Sequence, residues 1–162
     1  MKIRTARPSD AAAITDIYNH YIRDTIITFE TTELRAEEMQ SRVETVLKTH
    51  DWIVAESADG VLMGYAYFGT FKVRAAYGGT VESSVYLSPD ATGKGLGRLL
   101  YTELLKRAKA ADFRQVIGVL SVPNTVSEQL HASFGFKLVG LLQAVGRKFE
   151  QDIDVAYWQL TL

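Results

Sequence analysis

The chain has 162 residues, 47% of them apolar, enough to bury the core of one domain, and a single domain over residues 1–162 is expected. Its 18 Lys and Arg against 19 Asp and Glu exclude the strong positive field that nucleic-acid binding requires, and the lack of cysteine excludes disulfides, thiolate metal sites and an acyl-cysteine intermediate. No apolar run approaches the roughly 18 residues of a membrane span and the amino terminus has no signal-peptide core, so a cytoplasmic protein without a membrane partner is expected.

A strand is expected around Ile3, then a helix from Pro8 whose Ile14, Ile17, Tyr18, Tyr21 and Ile22 recur at helical spacing. A second helix follows, with Met39, Val43, Val46 and Leu47 on one side and Arg35, Glu37, Glu38 and Arg42 between them. Trp52–Glu56 and Val61–Phe68 read as strands joined by the Ser57-Ala58-Asp59-Gly60 turn, and Thr80–Ser88 makes a third consecutive strand. Leu96, Leu99, Leu100, Leu104 and Leu105 then mark a helix. The remainder gives a strand at Gln115–Leu120, a helix at Thr125–Phe134, and strands at Phe136–Leu142 and Val155–Leu162. The order β-α-α-β-β-β-α-β-α-β-β implies an α/β fold, a mixed sheet with helices on its faces.

Between the Thr80–Ser88 strand and the third helix lies Thr92-Gly93-Lys94-Gly95-Leu96-Gly97-Arg98. A glycine-rich strand-to-helix turn offers unpaired N–H groups and a helix dipole to a phosphate. The spacing is neither G-x-x-x-x-G-K-[ST] nor G-x-G-x-x-G, which argues against ATP and NAD; an ordinary connection with an exposed lysine reads equally well from the turn alone. Asn124 follows the next strand and precedes His131 by seven residues, two helical turns. Thr125-Val126-Ser127-Glu128 reads as a capping box that leaves the Asn124 amide free for a ligand, and Asn124 as the cap itself is the alternative. His131 reads either as a groove residue or as a surface histidine beside Leu130 and Phe134; three scattered histidines and no cysteine give no metal site.

With these elements the sequence resembles the GNAT N-acetyltransferase superfamily, whose pyrophosphate loop usually reads [QR]-x-x-G-x-[GA]. It is most similar to the phosphinothricin and methionine sulfone or sulfoximine acetyltransferase branch through Asn19-His20-Tyr21-Ile22, Glu82-Ser83-Ser84-Val85-Tyr86, Gly95-Leu96-Gly97 and Pro123-Asn124. His131, Gly135-Phe136, Val145-Gly146-x-Lys148-Phe149 and Asp154-Val155 to Trp158-Gln159 extend the match over nearly the whole chain. The resemblance implies acetyl-CoA as cosubstrate, no metal, a small amine or amino-acid-like acceptor and a homodimer. It implies that the backbone of Val85, Tyr86 and Leu87 pairs with the pantetheine arm and that Asn124 holds the arm's other side. Gly93, Lys94, Gly95, Leu96, Gly97 and Arg98 surround the pyrophosphate, while Lys72, Val73 and Arg74 with Glu82, Ser83 and Ser84 shape the acceptor site. Thr92 departs from the usual Gln or Arg, and Asp152 stands where many branch members carry tryptophan.

An ammonium must lose its proton before it attacks a thioester, which requires a positioned base. Glu82 is the candidate: an alternating strand puts it on one face with Ser84 and Tyr86, and partial burial raises a carboxylate from its usual value of about 4.3. A solvent-facing or acceptor-orienting carboxylate is the alternative. His131 is the candidate acid for the departing thiolate. Without cysteine, direct transfer is expected rather than a ping-pong route. Arg74 or Lys72 suits an acceptor carboxylate and opposes a polyamine. Acetylation of a peptide amino terminus or another amine, or non-catalytic acyl-CoA binding, are the competing readings.

Overall fold

The computed structural model describes all 162 residues. Seven strands and four helices follow the expected order: β1 Lys2–Thr5, α1 Ala11–Asp24, α2 Ala36–Leu47, β2 Trp52–Glu56, β3 Leu62–Thr70, β4 Thr80–Leu87, α3 Leu96–Ala110, β5 Gln115–Val122, α4 Thr125–Ser133, β6 Lys137–Lys148 and β7 Gln151–Thr161. They form one sheet in the order β1-β2-β3-β4-β5-β7-β6, in which β4 and β5 are the parallel pair and all other pairs are antiparallel.

Each face of the sheet carries its own core. On one, Ile14, Ile17, Tyr18 and Ile22 of α1 and Met39 and Val43 of α2 close on Trp52, Val54 and Tyr65. On the other, Leu96, Leu100, Tyr101, Leu104 and Ala108 of α3 close on Ile53, Ala55, Ala66, Phe68, Val81 and Val116. The alternation along β2 and β3 sends successive residues to the two cores, as a strand buried on both sides requires.

The largest departure from the expected boundaries is at the carboxyl end, where β6 and β7 run on past Leu142 and begin before Val155 to make a long hairpin. Its tip is Phe149-Glu150, at φ 51° and 60°, and Ala144 sits at φ 50° where the register shifts between Leu142 and Gly146. Left-handed backbone at non-glycine residues carries no Asn-Gly or Asp-Gly signature, so the turn is invisible in the sequence. Lys148 takes the place of such a signal: its ammonium, buried beside the hairpin tip, donates to the carbonyls of Thr28 (2.9 Å) and Tyr21 (3.4 Å). The hairpin is thereby tied to the end of α1 and to the loop that follows it.

Candidate functional site

The sheet opens in its middle. β4 and β5 pair only from Thr80↔Gln115 to Ser83↔Gly118, although β4 continues to Leu87 and β5 to Val122. Beyond Ser83 the two strands diverge and each presents an unpaired edge. Ser88 N–H donates to the Met63 carbonyl (2.9 Å), so by alternation the backbone groups of Tyr86 and Ser84 also face β3, while those of Val85 and Leu87 face the gap. The Leu87 groups are already engaged: the Tyr21 hydroxyl donates to its carbonyl (2.7 Å) and accepts from its N–H (3.3 Å). Of the three residues expected to pair with a pantetheine arm, Val85 therefore has its backbone turned to the opening, Tyr86 is turned away, and Leu87 is held by Tyr21.

The glycine turn stands at the open end of β4. A Cβ on Gly97 would touch both Leu87 and Leu130, which places the start of α3 between the end of β4 and α4. Gly93 and Gly95 adopt φ 73° and 78°, and space for a Cβ lies open at both, so backbone conformation rather than crowding demands glycine here. Gly95 precedes the helix without a capping side chain, leaving the N–H groups of Leu96, Gly97 and Arg98 free of intrahelical partners. The nearby side chains are otherwise occupied. Lys94 Nζ donates to the Asp90 carbonyl (2.8 Å), Arg98 donates to Ser133 Oγ (3.0 Å) and lies over the Phe134 ring, and Thr92 Oγ1 donates to the Pro89 carbonyl (2.9 Å). An anion at this turn meets backbone donors and the helix dipole.

The gap passes through the sheet. Ser83, Tyr101, Asn124, Ser127 and His131 line it from the α3 and α4 side, and Ser84, Tyr86, Val119 and Ile27 from the α1 and α2 side. There it meets an open cavity of about 400 Å³ lined by Glu82, Ser84 and Tyr86 of β4, Val119 and Ser121 of β5, Tyr67 of β3, Ile27–Phe29, and Leu142, Val145, Val155 and Tyr157 of the hairpin. Glu82 shares this wall with Ser84 and Tyr86 as the strand alternation predicts, and its half-buried carboxyl is pushed above the usual carboxylate range by loss of solvent. Ser121 adds a buried hydroxyl with no protein partner.

The structure chooses between the alternatives left open for Asn124 and His131, and both residues line the same gap. Asn124 is the helix cap, its Oδ1 accepting from Ser127 N–H (3.2 Å), so the Thr125–Glu128 capping box does not form and the amide oxygen is not free. Its NH2 group remains available beside the gap. His131 is no surface residue: it is 3% exposed, and a Cβ on Gly118 would overlap its ring. Ser127's carbonyl, 2.7 Å from Nδ1, can only accept, so Nδ1 carries the proton and Nε2 accepts from the Tyr101 hydroxyl at 2.9 Å. Ser83 Oγ completes the chain by donating to Tyr101 (2.6 Å). Burial lowers the His131 pKa below its ordinary value, so this is a neutral imidazole at neutral pH.

The basic loop lies apart from Glu82's cavity. Lys72, Val73 and Arg74 border a separate cleft with Tyr77, Lys72 sits beside the Phe71 and Tyr77 rings, and Arg74 is exposed. The loop nonetheless begins next to the Glu82 end of β4, because Gly69 pairs with Glu82 and Thr70 with Val81. Ser83 faces the opposite core from Glu82 and Ser84 and belongs to the Tyr101–His131 chain instead. Asp152 is exposed and pairs with Arg147 (2.7 Å). Tyr67, Tyr101, Ser121 and the Ile27–Phe29 loop were not singled out from sequence. Tyr67 and Ser121 share the inward alternation of their strands with core residues, so pattern alone cannot separate site from core there.

The sequence profile of the acetyltransferase (GNAT) domain family matches residues 3–157. Phosphinothricin N-acetyltransferase of Streptomyces viridochromogenes is 41% identical over 98% of this chain and 86% of its own. The L-methionine sulfoximine/L-methionine sulfone acetyltransferase of Pseudomonas aeruginosa is 33% identical over 99% of this chain and 94% of its own. The crystal structure of a GNAT superfamily phosphinothricin acetyltransferase from Sinorhizobium meliloti in complex with acetyl-CoA superposes with a TM-score of 0.97 at 38% identity, covering 99% of this chain and 88% of that one. With a family profile spanning nearly its whole length, relatives aligned end to end and a sheet split between its parallel strands, the chain belongs to the GNAT acetyltransferase family.

Proposed function

We propose that this N-acetyltransferase moves the acetyl group of acetyl-CoA directly to the amino group of a small acceptor that also carries a carboxylate, of the phosphinothricin, methionine sulfone or methionine sulfoximine type. The observation that carries the reading is the passage through the sheet, which joins an opening bordered by unpaired backbone groups on one face to the Glu82 cavity on the other. The residues fit a CoA ester: Val85 offers strand-edge pairing, the Asn124 NH2 borders the same gap, and the N–H groups at 96–98 await a pyrophosphate. Bound there, acetyl-CoA supplies an activated acyl carbon at the gap.

Glu82 takes a proton from the acceptor ammonium, directly or through water, and the freed amine forms the C–N bond as the C–S bond breaks. The electron pair leaves on sulfur, which ends as thiol by taking the second proton that nitrogen sheds as it becomes an amide, while the first passes from Glu82 to solvent. His131, without a proton on Nε2, serves this reaction by holding Tyr101 and Ser83 beneath the gap rather than by donating. Arg74 reaches the acceptor carboxylate from the neighbouring cleft, on the loop that leaves the sheet beside Glu82, and the Ser121 hydroxyl supplies a donor inside the cavity. Purified protein supplied with acetyl-CoA and screened against methionine sulfone, methionine sulfoximine, phosphinothricin, polyamines and peptides should release thiol fastest with the first three. Faster turnover of polyamines or peptides, together with an unaffected kcat/KM in Arg74→Ala, would overturn the acceptor class.

A homodimer belongs to the same proposal. β6 is an edge strand of 12 residues that exposes Leu138, Val139, Leu141, Leu142 and Val145, with Phe149 at its tip. An apolar edge of that length calls for cover, and a second copy would supply it. Light scattering should give twice the 18.0 kDa chain mass, and charged residues at Leu138 and Leu141 should return it to monomer.

A further inference from the structure

Tyr67 borders two cavities at once. On one side is the Glu82 cavity; on the other is a second hollow of about 360 Å³ between α2 and the sheet, walled by Tyr18, Met39, Val46, Trp52 and Tyr65. The three residues Trp52, Tyr67 and Ser84 are register partners on consecutive strands and form one row across the sheet. Tyr67 stacks on Trp52 with ring centroids 4.2 Å apart and planes within 11° of parallel, while its other neighbour in the row, Ser84, belongs to the acceptor cavity. The ring thus stands as the wall between the compartment that holds the Glu82 carboxylate and an apolar, aromatic one that no step of the proposed chemistry uses.

We propose that Tyr67 is the partition that fixes how large an acceptor side chain the enzyme takes, and that the hollow behind it is a preformed apolar subsite for aromatic or long aliphatic side chains. This rests on the proposed acetylation of amino-acid-like acceptors. An amino group beside Glu82 leaves the acceptor side chain to run along the cavity floor, where the Tyr67 ring stops it. Behind the ring lie only apolar and aromatic surfaces together with Ser41, Thr45 and Arg42, and Arg42 is turned to Glu30 in an ion pair of 2.6 Å. A phenylalanine-sized side chain would exchange water for apolar contact there, and discrimination by one or a few carbon atoms in such a pocket is worth roughly tenfold or more.

The test compares kcat/KM for phenylalanine with that for methionine sulfone. Tyr67→Ala should raise this ratio at least tenfold over wild type; Tyr67→Leu, which keeps apolar packing on Trp52, should raise it in the same direction should the alanine variant fold poorly. Tyr67→Phe, which keeps the wall, should leave the ratio where it was. Val46→Phe in the Tyr67→Ala background refills the hollow from its far side and should return the ratio to the wild-type value. An unchanged ratio in folded Tyr67→Ala and Tyr67→Leu, with wild type active on methionine sulfone, overturns the partition and leaves the function standing. Wild type inactive on every amino-acid acceptor overturns the function instead; the subsite is then judged by calorimetry with indole, which should bind Tyr67→Ala at least tenfold tighter than wild type and defeats the proposal where it does not.

Discussion

The two sides of the sheet serve the reaction with different materials. On the α3 and α4 side the groups proposed to bind acetyl-CoA are, the Asn124 NH2 apart, backbone: the open edge of Val85, the N–H groups that start α3, and the turn shaped by glycines at φ 73° and 78°. On the α1 and α2 side they are side chains gathered from β3, β4, β5, the loop after α1 and the β6–β7 hairpin. Backbone recognition depends on local conformation and tolerates much change in side chains. A cavity assembled from five segments depends on each of them, and can alter its acceptor while the cofactor side stays the same. That division predicts which variants damage one substrate's binding and which damage the chemistry between them.

The largest effect is expected where the two sides meet. Glu82→Gln retains volume but removes the ionisable group, and turnover at saturating acceptor should fall roughly 10²- to 10⁴-fold while acetyl-CoA affinity holds. Burial raises the Glu82 pKa, so in wild type the rate should climb with pH through a limb lying above the ordinary carboxylate range, and the variant should lose that limb. Single-turnover measurements establish that chemistry is limiting; near-normal turnover in the folded variant would move the base elsewhere.

A change confined to the backbone side comes next. Gly95→Asp puts a negative charge at the helix start and a side chain at φ 78°, and CoA affinity by calorimetry should weaken roughly tenfold or more with little change in the acceptor KM. The mirror experiment is Gly146→Val. A Cβ at Gly146 would overlap the Phe29 ring, so the substitution pushes apart the hairpin and the loop that together wall the acceptor cavity. Acceptor KM should rise several-fold and CoA affinity stay put. If both constants moved together in either variant, the two sides would be mechanically coupled and the comparison would fail.

What was legible beforehand divides along the same line. The element order, the glycine turn and the shared face of Glu82, Ser84 and Tyr86 follow from periodicities of 2 and 3.6 and from the conformational demands of glycine, all local properties. The occupation of Leu87 by Tyr21 was not legible, because it joins residues 66 apart in sequence. Nor was the Lys148 tie, whose partners are carbonyls and carry no residue signature. Asn124 went to the cap because its side chain precedes the first turn by one residue, and His131 lies buried because Gly118 leaves room for its ring in β5. Asn124 apart, whose bond to Ser127 spans only three residues, a contact between segments distant in sequence and absent from any short window decided the outcome.

The smallest expected effect concerns the Ser83–Tyr101–His131 chain and separates a positioning histidine from an acid. A histidine whose folded pKa is depressed by burial binds fewer protons than it does in the unfolded chain, so stability is full above the ordinary imidazole pKa of about 6.5 and is lost as pH falls through the depressed value. His50, also depressed by burial, acts in the same direction, whereas Glu82, with its raised pKa, opposes both by binding protons more readily in the folded state. The wild-type profile is therefore a sum, and the difference between wild type and His131→Leu, which removes both the titrating group and the acceptor, isolates one contributor. Urea unfolding between about pH 5 and 8 should show wild type losing stability faster than the variant as pH falls. The variant should be the less stable protein at the upper end, because Tyr101 then loses its acceptor and a buried hydroxyl left unpaired costs about 1–3 kcal/mol. Its turnover should drop by less than the roughly 10²-fold that loss of a general acid brings, and the alkaline limb of the rate should stay in place. A larger drop together with a lost alkaline limb would mean that His131 delivers a proton after all, and that the α3 and α4 side contributes chemistry as well as binding.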